Sequence, residues 1–114
     1  IGAGAFGLCE DMTSVVLPSS LASIGKMAFC YCDALTSVEF PSSLAYIGEN
    51  AFDGCENLKK IIIKSEKLEA GNVGKNAFAN GSDKVIVKTS KKKLEAYKKL
   101  LKKRGISKNA SFES

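Results

Sequence analysis

Four cysteines, Cys9, Cys30, Cys32 and Cys55, are the side chains of this 114-residue sequence best equipped for chemistry. A thiol can serve as a nucleophile, a disulfide partner or a zinc ligand, and each role demands particular neighbours. A nucleophilic Cys needs a general base, and the chain contains no His. A closed zinc site wants four ligands at tetrahedral spacing. Three of these cysteines instead recur at 9, 32 and 55, with Cys30 adding one Cys-x-Cys pair. That spacing suits a buried ladder of free thiols, because free Cys packs as a small apolar residue. Whether any pair forms a disulfide stays open.

Two other patterns suggest chemistry and do not hold up. Gly2-Ala3-Gly4-Ala5-Phe6-Gly7 spells G-x-G-x-x-G, the phosphate-binding fingerprint of dinucleotide folds. A true fingerprint follows a strand, opens a helix and has an acidic residue about 20 positions on. The equivalent stretches Gly25–Phe29 and Gly48–Phe52 lack those glycines, so the match is variation within a repeat. Glu66 and Glu69 are acidic groups with no evident partner, which leaves the inventory for catalysis poor. No enzyme activity, metal or cofactor is expected.

The elements that must position these residues announce themselves by repetition. Ile24-Gly25-Lys26-Met27-Ala28-Phe29 returns 23 residues later as Ile47-Gly48-Glu49-Asn50-Ala51-Phe52. Phe6, Phe29 and Phe52 keep the same period, as do Val15, Val38 and Ile61, and Pro18-Ser19-Ser20-Leu21 recurs as Pro41-Ser42-Ser43-Leu44. A period of this length signals a solenoid, in which each repeat covers the apolar face of its neighbour. The repeats divide as 1–23, 24–46, 47–72 and 73–90. The third is lengthened by Lys64–Asn72, and the fourth loses the Cys and the Pro.

Within a repeat, Leu35-Thr36-Ser37-Val38-Glu39-Phe40 alternates apolar and polar residues and ends at Pro41, the pattern of a strand. Strands are expected at Met12–Leu17, Leu35–Phe40, Leu58–Ile63 and Lys84–Val87, stacked in parallel at about 4.8 Å. Val15, Leu17, Val38, Phe40, Ile61, Ile63, Val85 and Val87 would point inward. Ser14, Val16, Ser37, Glu39, Lys60, Ile62 and Ile86 would face outward as a ribbon. Ala51-Phe52 and Cys55 read as a short turn burying both Phe and Cys.

After Ser90 the period changes. Leu94, Tyr97, Leu100 and Leu101 recur at helical spacing among lysines, with Ser90 as the expected N-cap and Gly105 as the stop. Residues 91–105 are therefore an expected capping helix, and 106–114 an aperiodic tail. The net charge of +5 is concentrated here: residues 1–82 carry −3, and residues 83–114 carry +8. Tyr97 falls on the apolar stripe, so the helix lacks the exposed aromatics of a nucleic-acid surface, and a solvated face is expected. Asn109-Ala110-Ser111 matches a glycosylation acceptor, a weak signal in a Ser-rich stretch. No apolar run approaches the roughly 18 residues that span a bilayer. Because the chain opens inside a repeat, it reads as the C-terminal part of a longer protein.

The stretch Leu35–Cys55 fills every position of L-x-x-V-x-[FI]-P-x-S-[LV]-x-x-I-G-x-x-A-F-x-x-C. This pattern resembles the BspA-type (Treponema pallidum-type) leucine-rich repeats of bacterial surface proteins, over Ile1 to about Val87. Leu94–Leu100 is similar to the helix that often closes such arrays. The resemblance implies an α/β solenoid of leucine-rich repeats with a parallel β-ladder and a C-terminal capping helix. It also implies a secreted or cell-surface location, where a disulfide would be permitted. Such proteins are thought to bind macromolecules of a host or neighbouring cell, and the family transfers no catalytic or ligand residues. The expected function is protein or glycan binding through the outward ribbon, in adhesion or host interaction, with no nucleic-acid partner. The alternative is a structural spacer within a larger surface protein.

Overall fold

Alternation sends successive side chains to opposite faces of a strand, so the repeated apolar positions can be buried only if the rungs stack in register. The computed structural model, which describes residues 1–114, has this arrangement. Its elements are β1 (Ser14–Val15), β2 (Ser23–Ile24), β3 (Ser37–Phe40), β4 (Tyr46–Ile47), β5 (Lys60–Ile63), β6 (Ile86–Thr89), α1 (Leu94–Lys103) and β7 (Ser111–Glu113). The main sheet runs β1-β3-β5-β6-β7, every pair parallel. A second parallel pair, β2-β4, forms the other wall, and Ile47 bridges onward to Val73.

One inward row is Val15, Val38, Ile61, Val87 and Phe112, each residue opposite the next. A second is Phe40, Ile63 and Thr89. These rows share a single core with Ile24, Leu35, Leu44, Ile47 and Leu58. Phe6, Phe29, Phe52 and Phe78 stack along the axis at 5.3, 5.1 and 5.5 Å between successive ring centroids, with planes within 13° of parallel. Phe40 tilts against Phe52 and Phe78. Burying a Phe contributes about 1.5–3 kcal/mol and aromatic contact up to about 1.5 more, so this ladder is a main source of stability.

Glycine sets the rung spacing where the second wall turns. A Cβ on Gly48 would lie 2.5 Å from the Lys26 nitrogen and 2.7 Å from the Gly25 carbonyl carbon, both backbone atoms of the preceding rung. The Ile-Gly pair therefore recurs because only a hydrogen fits between stacked backbones.

Several sequence expectations change, and the first three ladder strands are shorter than expected, Ser14–Val15, Ser37–Phe40 and Lys60–Ile63. The fourth ladder strand is Ile86–Thr89, not Lys84–Val87. The longer third repeat moves the ladder partner of Ile61 to Val87, so the second inward residue of this strand is Thr89, and Lys88 joins the outward face. The helix starts later than Ser90, with Lys93 at its N-cap and no side-chain cap bond. Ser90 instead uses its hydroxyl to accept the Lys93 amide within the preceding turn. At the far end Gly105 does stop the helix, at φ +97°, while the Ile106 amide bonds back to Leu101.

Residues 106–114 are not a loose tail. Ile106 is buried, and Ser111–Glu113 pairs with β6, carrying Phe112 into the first inward row. The Phe78 amide, whose counterparts Phe6, Phe29 and Phe52 donate to an alanine carbonyl of the next rung, donates to Arg104. Arg104, Ile106 and Phe112 thus supply the contacts of a further rung, and α1 covers its end.

The lengthened third repeat is anchored as well. The buried Tyr97 hydroxyl donates to the Ser65 carbonyl at 2.8 Å and accepts the Leu68 amide at 3.3 Å. Arg104 donates to the carbonyls of Val73 and Ala70. The cap helix and the insertion are therefore one packed unit.

Candidate binding surface

The outward positions of the main sheet fall into two straight rows, and ladder register decides which residues are neighbours. Ser14, Ser37, Lys60, Ile86 and Ser111 make one row. Glu39, Ile62, Lys88 and Glu113 make the other. Val16 lies just past the end of β1 and is 94% exposed. The other six residues expected on this ribbon lie on the rows: Ser14, Glu39, Lys60 and Ile86 exposed, Ser37 and Ile62 half-buried. Sequence reasoning missed Lys88, Ser111 and Glu113, because their place depends on the shifted register and on β7.

The second row is charge-paired across strands. Lys64 holds Glu39 at 3.1 Å, and Lys88 approaches Glu113 at 3.7 Å. Both pairs are about half exposed, so each contributes at most about 1 kcal/mol and mainly fixes side-chain direction. Two shallow clefts flank the rows. One of about 520 Å³ runs beside Ile86, between Lys59, Lys84, Asn109 and Ser111. Another of about 310 Å³ lies between Lys64, Lys88 and Ser90 over Ile62. The face therefore offers apolar contacts at Ile62 and Ile86 inside a frame of lysines and hydroxyls.

The cysteines do different work. Cys32 donates its thiol to the Phe6 carbonyl at 3.0 Å, and Cys55 donates to Phe29 at 3.1 Å. Burial pushes the thiols of Cys30 and Cys32 up, and that of Cys55 up to about 12, so the neutral form is favoured in all three. A thiol held neutral and without a base is a poor nucleophile. No group of three or more Cys, Asp or Glu is placed to hold a metal ion. The Gly2–Gly7 stretch is the turn of the first rung, and the next regular element is β1, not a helix.

A second exposed feature escaped the sequence reading. In each rung two turn residues take left-handed φ: Gly4 and Leu8, Met27 and Tyr31, Asn50 and Gly54, Asn76 and Asn80. Gly and Asn tolerate that conformation, whereas bulky residues are strained in it. Leu8, Met27 and Tyr31 are the strained ones, and they surround a largely apolar cleft of about 590 Å³ floored by Gly7 and Cys30.

The pattern of a BspA type leucine rich repeat region matches residues 1–108, in six copies. The chain belongs to the BspA-type leucine-rich repeat family. No curated protein and no solved structure matches it. BspA-type repeats are generally non-catalytic modules, typically used for protein binding and often found in surface proteins. The parallel ladder closed by a single C-terminal helix is the architecture of such a solenoid. In this BspA-type module the repeated Phe, Cys and Val go largely into the core, and the outward rows stay exposed or half-buried. No helix in it is long and apolar enough to cross a membrane.

Proposed function

We propose that this BspA-type module is a non-catalytic recognition unit that binds a protein or glycan through its outward rows, at the exterior of a cell. The observation that carries the reading is a contrast between the two sides of one sheet. The first inward row is uniformly apolar, Val15, Val38, Ile61, Val87 and Phe112. The outward row beside it changes at almost every step, Ser14, Ser37, Lys60, Ile86 and Ser111. Packing holds the first row apolar, while the second is free to be shaped by a partner, which is how solenoids build extended binding surfaces. Adhesion or host interaction is the role that suits such a face on a surface protein.

Binding of the intact chain to a panel of purified extracellular proteins and glycans, by biolayer interferometry, tests the proposal. Glu39→Ala combined with Lys60→Ala and Ile86→Ser should weaken a genuine interaction by about tenfold or more, with melting unchanged. If every interaction found survives the triple change, the ribbon is not the contact surface. A panel that yields no partner favours a structural spacer that holds another domain away from the cell.

A further inference from the structure

We propose that the exposed side of α1 is a second binding surface, separate from the strand rows, and that its ligand is an acidic polysaccharide. Lys91 and Lys92 precede the helix, and Lys98, Lys99, Lys102 and Lys103 lie on it, all exposed. Only Lys92 has a carboxylate within ion-pair distance, Glu66 at 3.9 Å. Arg104 is already committed to the carbonyls of Val73 and Ala70. The helix itself carries one acid, Glu95.

Helix stability does not explain this density. The dipole favours cations in the last turn, which accounts for Lys102 and Lys103. It disfavours them at the opposite end, where Lys91 and Lys92 stand. Lys98 and Lys102, and Lys99 and Lys103, are like-charged pairs four residues apart, a spacing that is destabilising. The result is a positive strip, opposed only by Glu95 on the helix and by Glu66 and Glu69 across from it, along the cap of a module whose residues 1–82 carry net negative charge.

A groove of about 500 Å³ runs beside the strip, between α1 and the Glu66–Ala70 stretch of the insertion. Lys93, Lys99 and Lys103 line it from the helix, and Glu66, Lys67 and Glu69 from the insertion. An unbranched sugar chain can lie along this groove and turn its spaced carboxylates or sulfates to the helix lysines, away from Glu66 and Glu69. Lysines present separate point charges, which suit spaced anions better than bidentate recognition. A membrane fits less well, because the apolar stripe of Tyr97, Leu100 and Leu101 is buried and leaves nothing to insert. Nucleic acid fits less well too, since the exposed helix positions hold no aromatic ring for base stacking.

The test uses the intact chain with alginate and heparin as probes, neutral dextran as the control polymer, and phosphatidylglycerol vesicles as the competing surface. Binding to alginate and heparin should weaken steeply as NaCl rises from about 50 to about 200 mM. Replacing Lys98, Lys99, Lys102 and Lys103 together by Gln should weaken it about tenfold or more, with the melting temperature held or raised. Replacing Lys60, Lys64 and Lys88 by Gln on the strand face should change it by less than about twofold. The proposal is overturned if the wild-type chain binds neither polyanion at low salt, or if the strand-face variant loses as much as the helix variant. Binding to the vesicles but not to the polysaccharides overturns it equally.

Discussion

The Cys55 thiol donates to the carbonyl of Phe29, one rung back, at 3.1 Å, and Cys32 repeats the bond to Phe6 at 3.0 Å. The Phe29 carbonyl also accepts the Cys32 amide, so the Phe6–Cys9 and Phe29–Cys32 turns are each closed from their own rung and from the next. The ladder position thus calls for a side chain that is small and apolar yet still a weak donor, which describes Cys.

Loss of stability at alkaline pH should follow from that burial. The Cys55 thiol is raised from 9.0 to about 12 on folding, mainly by desolvation. A raised group stabilises the fold fully below its unfolded value, and that contribution fades as pH climbs through the folded one. Melting temperature should therefore decline between pH 9 and about 12. The decline should be shallower in Cys55→Ser, whose hydroxyl does not ionise in that range. Calorimetric scans of both proteins across the interval check this.

Two glycines should respond in opposite ways to the same methyl group. Gly48→Ala would press a Cβ into the backbone of Lys26, whereas nothing lies within 4 Å of a Cβ on Gly71. Urea denaturation should show a loss of about 1–3 kcal/mol or more for Gly48→Ala. Gly71→Ala should stay within about 0.5 kcal/mol of the parent. Equal effects would mean that the rung spacing is not set at the Ile-Gly pair.

Phe52 sits at the centre of the aromatic stack, between Phe29 and Phe78, and is 1% exposed. Truncation to Ala should destabilise by about 3–5 kcal/mol, since stacked neighbours on both sides limit collapse of the cavity. Phe6 has a ring on one side only and is 37% exposed, so Phe6→Ala should cost markedly less. Equilibrium unfolding of the two variants side by side measures the difference.

Thr89 is a defect in an otherwise apolar row. It follows Phe40 and Ile63, is 7% exposed, and its hydroxyl has no hydrogen-bond partner. An unsatisfied buried polar group costs about 1–3 kcal/mol, and an apolar group of the same shape removes that penalty. Thr89→Val should raise the melting temperature; a lower one would show that the hydroxyl is satisfied in solution.

Tyr97 ties the cap to the insertion through its hydroxyl. Tyr97→Phe keeps the ring and removes the bonds to the Ser65 carbonyl and the Leu68 amide. Hydrogen exchange at the Leu68 amide should quicken while amides of Ile61 and Val87 keep their protection, with global stability lowered by about 1–3 kcal/mol. Uniform loss of protection would mean that the insertion does not open separately.

Repetition alone made legible the solenoid, the inward residues of the first three rungs, the helical stripe that ends in Gly105, and the Phe and Cys ladders, which are buried at Phe29, Phe52, Cys32 and Cys55 but only partly at Phe6 and Cys9 in the first rung. These were legible because the same side chain returns every 23 residues, and a recurring apolar residue in a stacked rung has one place to go. Six of the seven expected outward residues fall on the ladder rows, as alternation implies, while Val16 lies past the end of β1. Tertiary structure decided the rest. Ser111–Glu113 has one large apolar residue in three, too short a run to show a period, and becomes a strand only because β6 offers it an open edge. Thr89 and Lys88 changed roles for a related reason: register in a parallel sheet is a contact between distant segments, and the insertion before β6 moves the partner of Ile61 without changing any local pattern. The strained Leu8, Met27 and Tyr31 were hidden as well, since left-handed backbone at a bulky residue is imposed by the rungs stacked around it and opposes the local preference of the chain.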